Sequence, residues 1–205
     1  MFESEDVPQL SAETFLALQE FYNEQNTKEL ALETNTDVTL DEDWQLSQFW
    51  YNEDTITSLV KIALNQAKSN PKIALISCPT LYNELKRKCK DVKLFEFDGR
   101  FAKVCGADFV QYDYKYPLEV PKHLTDSFDL VIADPPFLSE ECLTKTAITI
   151  RLLTNKDVIL CTGAVMADLA KRLLAVQQTS FIPEHRNNLG NDFCCFTNFN
   201  IDDLV

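Results

Sequence analysis

Phe128-Asp129-Leu130-Val131-Ile132-Ala133-Asp134-Pro135-Pro136-Phe137 is an apolar run that ends on an acid and passes straight into two prolines and an aromatic ring. A short aliphatic run of this kind suits a strand buried on both faces, the habit of a parallel sheet. Two prolines continue neither a strand nor a helix interior, so the backbone after Asp134 is stiff and its carbonyls are available as acceptors. A carboxylate, a fixed carbonyl and an aromatic face at the carboxyl edge of a sheet could hold an amine: the first two accept its N–H bonds and the ring packs on what bears it. The plainer alternative is a turn whose Asp134 caps a helix starting near Ser139.

Outward from this strand the chain alternates. The pattern predicts a helix over 53–68, a strand over 72–77, a helix over 79–90, a strand over 92–97, a helical piece near 99–104 and a strand over 108–112. The 128–133 strand follows, then a helix over 139–153, a strand over 158–161 and a helix over 164–176. Residues 179–183 and 192–199, joined by an Asn-rich loop, read instead as an antiparallel pair. The expected fold is α/β, a seven-stranded doubly wound sheet with a terminal antiparallel hairpin and a ligand crevice where the strand order reverses. Ahead of it, Ser11 can cap a helix running to about Asn26, and 27–43 is a polar, acidic connector. Trp44-Gln45-Leu46-Ser47-Gln48-Phe49-Trp50-Tyr51 then packs four aromatics into eight residues, to anchor the arm, to roof a site, or both. The division expected is an acidic N-terminal extension with one helix over 1–43 and a folded domain over 44–205.

Composition narrows the function. The 205 residues are 45% hydrophobic, enough for a sizeable core. Only four are glycine, and neither G-x-x-x-x-G-K-[ST] nor G-x-G-x-x-G occurs, so the common nucleotide loops are excluded. The net charge of −13 resides in residues 1–54, with 14 acids against one lysine, while the rest of the chain is balanced. That argues against gripping nucleic-acid phosphates and for a basic partner. Met1 is followed by acids rather than a signal-like start, and no apolar stretch has membrane-spanning length, so a soluble, unprocessed protein with no membrane partner is expected. Seven cysteines without a C-x-x-C pair, with His123 and His185, read as reduced thiols and structural filler in a cytosolic or nuclear protein, with no metal site. The run Lys86-Arg87-Lys88 reads as a solvated helix face.

Asp134-Pro135-Pro136-Phe137 resembles the [DN]-P-P-[YF] motif of class I methyltransferases that methylate amino or amide nitrogens with S-adenosylmethionine. With Trp44–Tyr51, Phe95-Glu96-Phe97-Asp98-Gly99-Arg100-Phe101, Tyr112-Asp113-Tyr114, the extension to Cys142, and Leu160-Cys161-Thr162-Gly163-Ala164, the chain from about 8 to 200 is similar to the eukaryotic elongation factor 1-alpha lysine methyltransferase 1 family. Members were once assigned to N6-adenine DNA methylation on the four-residue motif, which by itself does not decide the substrate. The resemblance implies a Rossmann-like class I methyltransferase fold, S-adenosylmethionine as cofactor, repeated methylation of a lysine, elongation factor 1-alpha as protein substrate, and a cytoplasmic monomer without a stable nucleic-acid partner.

The expected site follows. Asp134, Pro135 and Phe137 form the catalytic set, Asp134 orienting the nitrogen and also counted among the cofactor-binding residues, with Trp50, Tyr51 and Phe137 as an aromatic wall for the substrate. Ser77, Pro79 and Thr80 replace the usual glycine-rich loop after the first strand; Pro79 suits the first turn of a helix whose N–H groups can receive a carboxylate. Asp98, beyond the second strand, is expected on the ribose hydroxyls, with Glu96 the competitor if that strand ends earlier. Asp113 is the acid expected to face the adenine, or simply forms a turn. Arg100 and Phe101 border the same pocket. An N6-adenine methyltransferase on RNA or DNA is the second reading, and a non-catalytic binding subunit the third.

Overall fold

The computed structural model describes residues 48–66, 70–187 and 192–201, all within the compact unit Glu42–Val205. The expected helix over 11–26 and the connector over 27–43 lie outside the described residues.

Asn52 opens α1 (Glu53–Gln66) by accepting from the Thr55 amide at 2.8 Å, with Glu53 and Asp54 complementing the helix N-terminus. Its buried stripe includes Ile56, Leu59, Val60 and Ala63. Strands β1 (Lys72–Ile76), β2 (Asp91–Glu96), β3 (Phe109–Gln111), β4 (Leu130–Ala133) and β5 (Asp157–Gly163) are parallel. The crossovers carry α2 (Tyr82–Lys88), α3 (Phe101–Cys105) and α4 (Glu140–Leu153), and α5 (Ala167–Leu174) follows β5. β6 (Gln177–Gln178) and β7 (Phe193–Thr197) complete a seven-stranded sheet of order β3-β2-β1-β4-β5-β7-β6. The first hairpin strand therefore lies two residues before the expected 179–183 and is short, although Thr179 still donates to the Cys195 carbonyl at 2.9 Å.

The order reverses between β1 and β4, so the loops after these two strands diverge and leave a crevice at their carboxyl ends. Register makes the strands end level. Phe95, Ile76 and Ala133 are neighbours across β2, β1 and β4, which sets Glu96, Ser77 and Asp134 side by side one residue further on. Leu160 pairs with Ala133, so Cys161 continues the row, and Cys161 pairs with Cys195. β4 is buried throughout, and the core beneath the row is apolar: Phe95 packs edge-on against Tyr112 and Phe128.

Ala175 ends α5 in the left-handed conformation with φ 56°, a position that glycine occupies without steric cost. Ala175→Gly is expected to stabilise the protein by about 1 kcal/mol. Urea unfolding checks this through a higher midpoint at unchanged slope.

Candidate active site

A cavity of ≈380 Å³ opens at the β1/β4 switch point. Its walls include Ser77, Pro79 and Thr80, Asp113, the whole Asp134–Phe137 tetrad, and Trp50. Ser77 leaves β1 with φ 55°, a left-handed turn without the glycine that such a turn favours, and its amide stays bonded to the Phe95 carbonyl at 2.9 Å. The turn brings Cys78, Pro79 and Thr80 onto the cavity wall, and Pro79 starts a helical turn.

Asp134 does not cap α4. Ser139 does, its hydroxyl accepting from the Cys142 amide at 3.2 Å. Asp134 faces the cavity, its amide held by the Ile76 carbonyl at 3.0 Å. Burial, reinforced by Glu96, pushes its carboxyl up to about 7 against the opposing influence of Tyr51. Phe137 is 46% exposed and sits 5.8 Å edge-on from Tyr114, another wall of the cavity. Gly163 lets this loop come close: a Cβ there would stand 3.0 Å from a Leu138 methyl.

The structure separates the two acids considered for ribose. β2 ends at Glu96, which lines the cavity, and its Oε1 accepts the Phe97 and Asp98 amides at 2.9 and 3.1 Å. Burial pushes the Glu96 carboxyl up to about 7. Asp98, contrary to expectation, is not a wall of the cavity. Its carboxylate is taken by Arg100, with Nε 2.8 Å and Nη2 2.7 Å from Oδ2, and by Gln48 Nε2 at 3.0 Å. Burial works against its charge, yet Arg100 and then Gln48 hold it below the ordinary carboxylate value. Arg100 and Phe101 likewise stand outside the cavity walls, Phe101 buried in the core.

Asp113 serves as both wall and turn former, its Oδ1 accepting from the Lys115 amide at 2.9 Å. Trp50 lines the cavity with the Arg186 guanidinium 5.6 Å from its ring. Tyr51 is displaced from its expected place: it is 1% exposed, behind the wall rather than on it, because its backbone forms a β-bridge with His185 and its ring lies 5.0 Å from the imidazole. Sequence reasoning missed His185 and Phe97 as cavity residues. No pattern marks His185, which lies in an irregular segment, whereas an aromatic directly after the acid that ends a strand could have flagged Phe97.

A parallel sheet in this order, with an acid ending β2 and Asp-Pro-Pro-Phe after β4, has the architecture of a class I methyltransferase. The NodS N-methyltransferase of Bradyrhizobium japonicum, in complex with S-adenosyl-L-homocysteine, matches the fold with a TM-score of 0.54 at 12% identity, over 83% of this chain and 96% of that one. A TehB-like methyltransferase of Corynebacterium glutamicum matches at 0.51 and 15% identity, over 88% and 97%. Residues 42–201 match the family described as probable N6-adenine methyltransferase. The mouse EEF1A lysine methyltransferase 1 is 47% identical over 96% of this chain and 94% of its own. A Caenorhabditis elegans protein-lysine N-methyltransferase is 48% identical over 97% of each, and the Saccharomyces cerevisiae protein-lysine N-methyltransferase EFM5 is 36% identical over 93% and 91%. The chain belongs to the EEF1A lysine methyltransferase 1 family.

Asp134→Ala is expected to abolish methyl transfer while changing cofactor affinity by less than about tenfold, ~1.4 kcal/mol. Glu96→Gln should do the reverse, weakening cofactor binding with turnover recovered at high cofactor. Calorimetric titration and turnover on the same preparations separate the two, and an affinity that follows Asp98→Ala instead would return the ribose to Asp98.

The raised carboxyls also predict a pH signature in the ligand-free protein. Between the unfolded carboxyl value, about 4, and the folded value near 7, the folded chain binds more protons than the unfolded chain. The contribution of this pair is therefore fully present below about pH 4 and is lost as pH rises towards 7. Asp134→Asn should unfold at higher urea than the parent above pH 7, with the advantage shrinking on acidification.

Proposed function

We propose that the chain transfers methyl groups from S-adenosylmethionine to the ε-amine of a lysine in elongation factor 1-alpha, in the cytoplasm and as a monomer. The single observation carrying the lysine reading is the surface around the cavity. Of nine large apolar side chains exposed among the described residues, four, Phe49, Phe97, Phe137 and Leu138, line the cavity itself. Nucleic acid would instead call for unpaired cations there. Two arginines near the cavity are already committed, Arg100 to Asp98 and Arg186 to Glu53, and Lys115 is the single cation among the described cavity walls. The names of the curated relatives support the same substrate, against the adenine description of the family.

The residues present fit the cofactor. Glu96 offers a carboxylate to the ribose hydroxyls, Phe97 a half-exposed ring to the adenine, Asp113 an acceptor to its amino group, and the Ser77–Thr80 turn its backbone to the amino-acid end. When bound, S-adenosylmethionine supplies an electrophilic methyl group.

The acceptor lysine must arrive neutral, which costs about 4–5 kcal/mol at pH 7 from its reference pKa. Asp134 and the carbonyls beside Pro135 accept its N–H bonds and aim the lone pair, while Phe137 and Trp50 pack on its methylenes. The aromatic wall lowers the lysine pKa by excluding water, and the same rings attract a methylated ammonium. Asp134 orients the nitrogen, and the proton leaves to water. Residues 1–43 are assigned to an acidic extension and 44–205 to the methyltransferase domain; the family match over 42–201 supports that boundary.

Labelled S-adenosylmethionine, the full chain, and either purified elongation factor 1-alpha or total RNA and sheared DNA provide the test. Label on a lysine of the elongation factor, stable to nuclease, is expected; label confined to adenine would establish the second reading.

A further inference from the structure

We propose that Tyr51 is a positioning residue of this reaction, its buried phenol O–H fixing the Asp134 carboxylate in the orientation in which it receives the substrate amine. The inference rests on the lysine reading and assigns to the aromatic segment a task beyond roofing the cavity. Tyr51 is almost wholly enclosed, and among the described residues its hydroxyl has no hydrogen bond of good geometry. A buried hydroxyl without a firm partner is costly, where a phenylalanine would fill the same space without that cost.

The groups around that oxygen identify its partner. Asp134, Cys161 and Cys78 are its titratable neighbours. Both thiols are held in the neutral form, Cys161 by the adjacent Cys195 thiol and by burial, Cys78 by burial and then by Asp134. Neutral sulfur is a weak acceptor, so of these three the carboxylate is the strong one. Asp134 itself is faced by Tyr51 from this segment, Glu96 from the end of β2, Cys78 from the turn after β1 and Cys161 from β5. Of these only Tyr51 favours its charged form. Glu96 and burial both favour the protonated carboxyl, which would donate rather than accept and so could not hold an amine.

The segment is built to keep the phenol there. On one side Gln48 is tied to Asp98 and Arg100 at 3.0 and 3.4 Å. On the other, Trp50 accepts at its carbonyl from the Arg186 amide at 2.8 Å and the Asn52 amide donates to the Glu184 carbonyl at 3.0 Å. The bridge and ring contact to His185 fix Tyr51 between these anchors. Catalytic hydrogen bonds that are loose in a resting enzyme tighten when substrate arrives, and the Tyr51–Asp134 approach has that character.

The test is Tyr51→Phe in the full chain, which removes only the phenol oxygen and keeps the buried ring. Turnover on elongation factor 1-alpha is measured at saturating cofactor from below to above neutral pH, with cofactor affinity measured separately. The expected result is a kcat lower by roughly ten- to a hundredfold, cofactor affinity unchanged, and the acid limb of kcat moved to higher pH, since loss of the donor makes Asp134 harder to ionise. In an Asp134→Asn background the same substitution should lower the residual rate no further. An unmoved acid limb, a rise in protein-substrate KM alone, or full additivity with Asp134→Asn would overturn the proposal. Failure of the parent chain to methylate any protein lysine would remove the functional reading and this inference with it, whereas normal parent turnover with an unmoved limb removes the inference alone.

Discussion

The register of three parallel strands is the constraint from which the site follows. Because β2, β1 and β4 end level, Glu96 and Asp134 border one cavity with the Ser77 turn between them. Burial at the edge of an apolar core pushes each carboxyl up to about 7, and Glu96 adds to the shift of Asp134. The surroundings answer this cost. Backbone amides of Phe97 and Asp98 bond Glu96, the Tyr51 phenol faces Asp134, and Asp98 is paired with Arg100 outside the cavity. A one-residue slip of β2 would turn Glu96 to the other face of the sheet and leave an aromatic in its place.

The first turn shows how a fold can do without its customary residue. A glycine-rich loop usually supplies the left-handed step after the first strand of such sheets; here Ser77 takes it with φ 55°. The strain is of the order of 1–2 kcal/mol. It is borne by a turn anchored to the Phe95 carbonyl and followed by Pro79, whose fixed φ already suits the helical turn.

Much of this was legible in the sequence because it rests on local patterning. The buried run Leu130–Ala133 stopped by Asp134-Pro135-Pro136 gave both the strand and its edge, and the helix expected over 139–153 lies at Glu140–Leu153, capped by Ser139 rather than by Asp134. What escaped was decided by tertiary hydrogen bonds. The run Val92–Phe97 reads through position 96 as continuous strand, yet the Glu96 side chain takes the Phe97 amide and ends β2 there, so Glu96 rather than Asp98 lines the cavity. Tyr51 reads as a wall because aromatic composition cannot tell which ring turns inward; its bridge to His185, more than a hundred residues away, turns it behind the wall. The two-residue β6 was obscured because pairing by a single amide beyond it, that of Thr179, leaves no alternation to read.

The central claim is that the level ends of β2 and β4 divide the labour, Glu96 holding the cofactor and Asp134 the acceptor nitrogen. A crystal structure of the full chain with S-adenosylhomocysteine tests it most directly. The account predicts both ribose hydroxyls on the Glu96 carboxylate, Asp98 still paired with Arg100 and Gln48, and the Asp134 carboxylate facing open space beside the sulfur. A ribose held by Asp98 released from Arg100, or a cofactor seated away from the β1/β4 switch point, would contradict it.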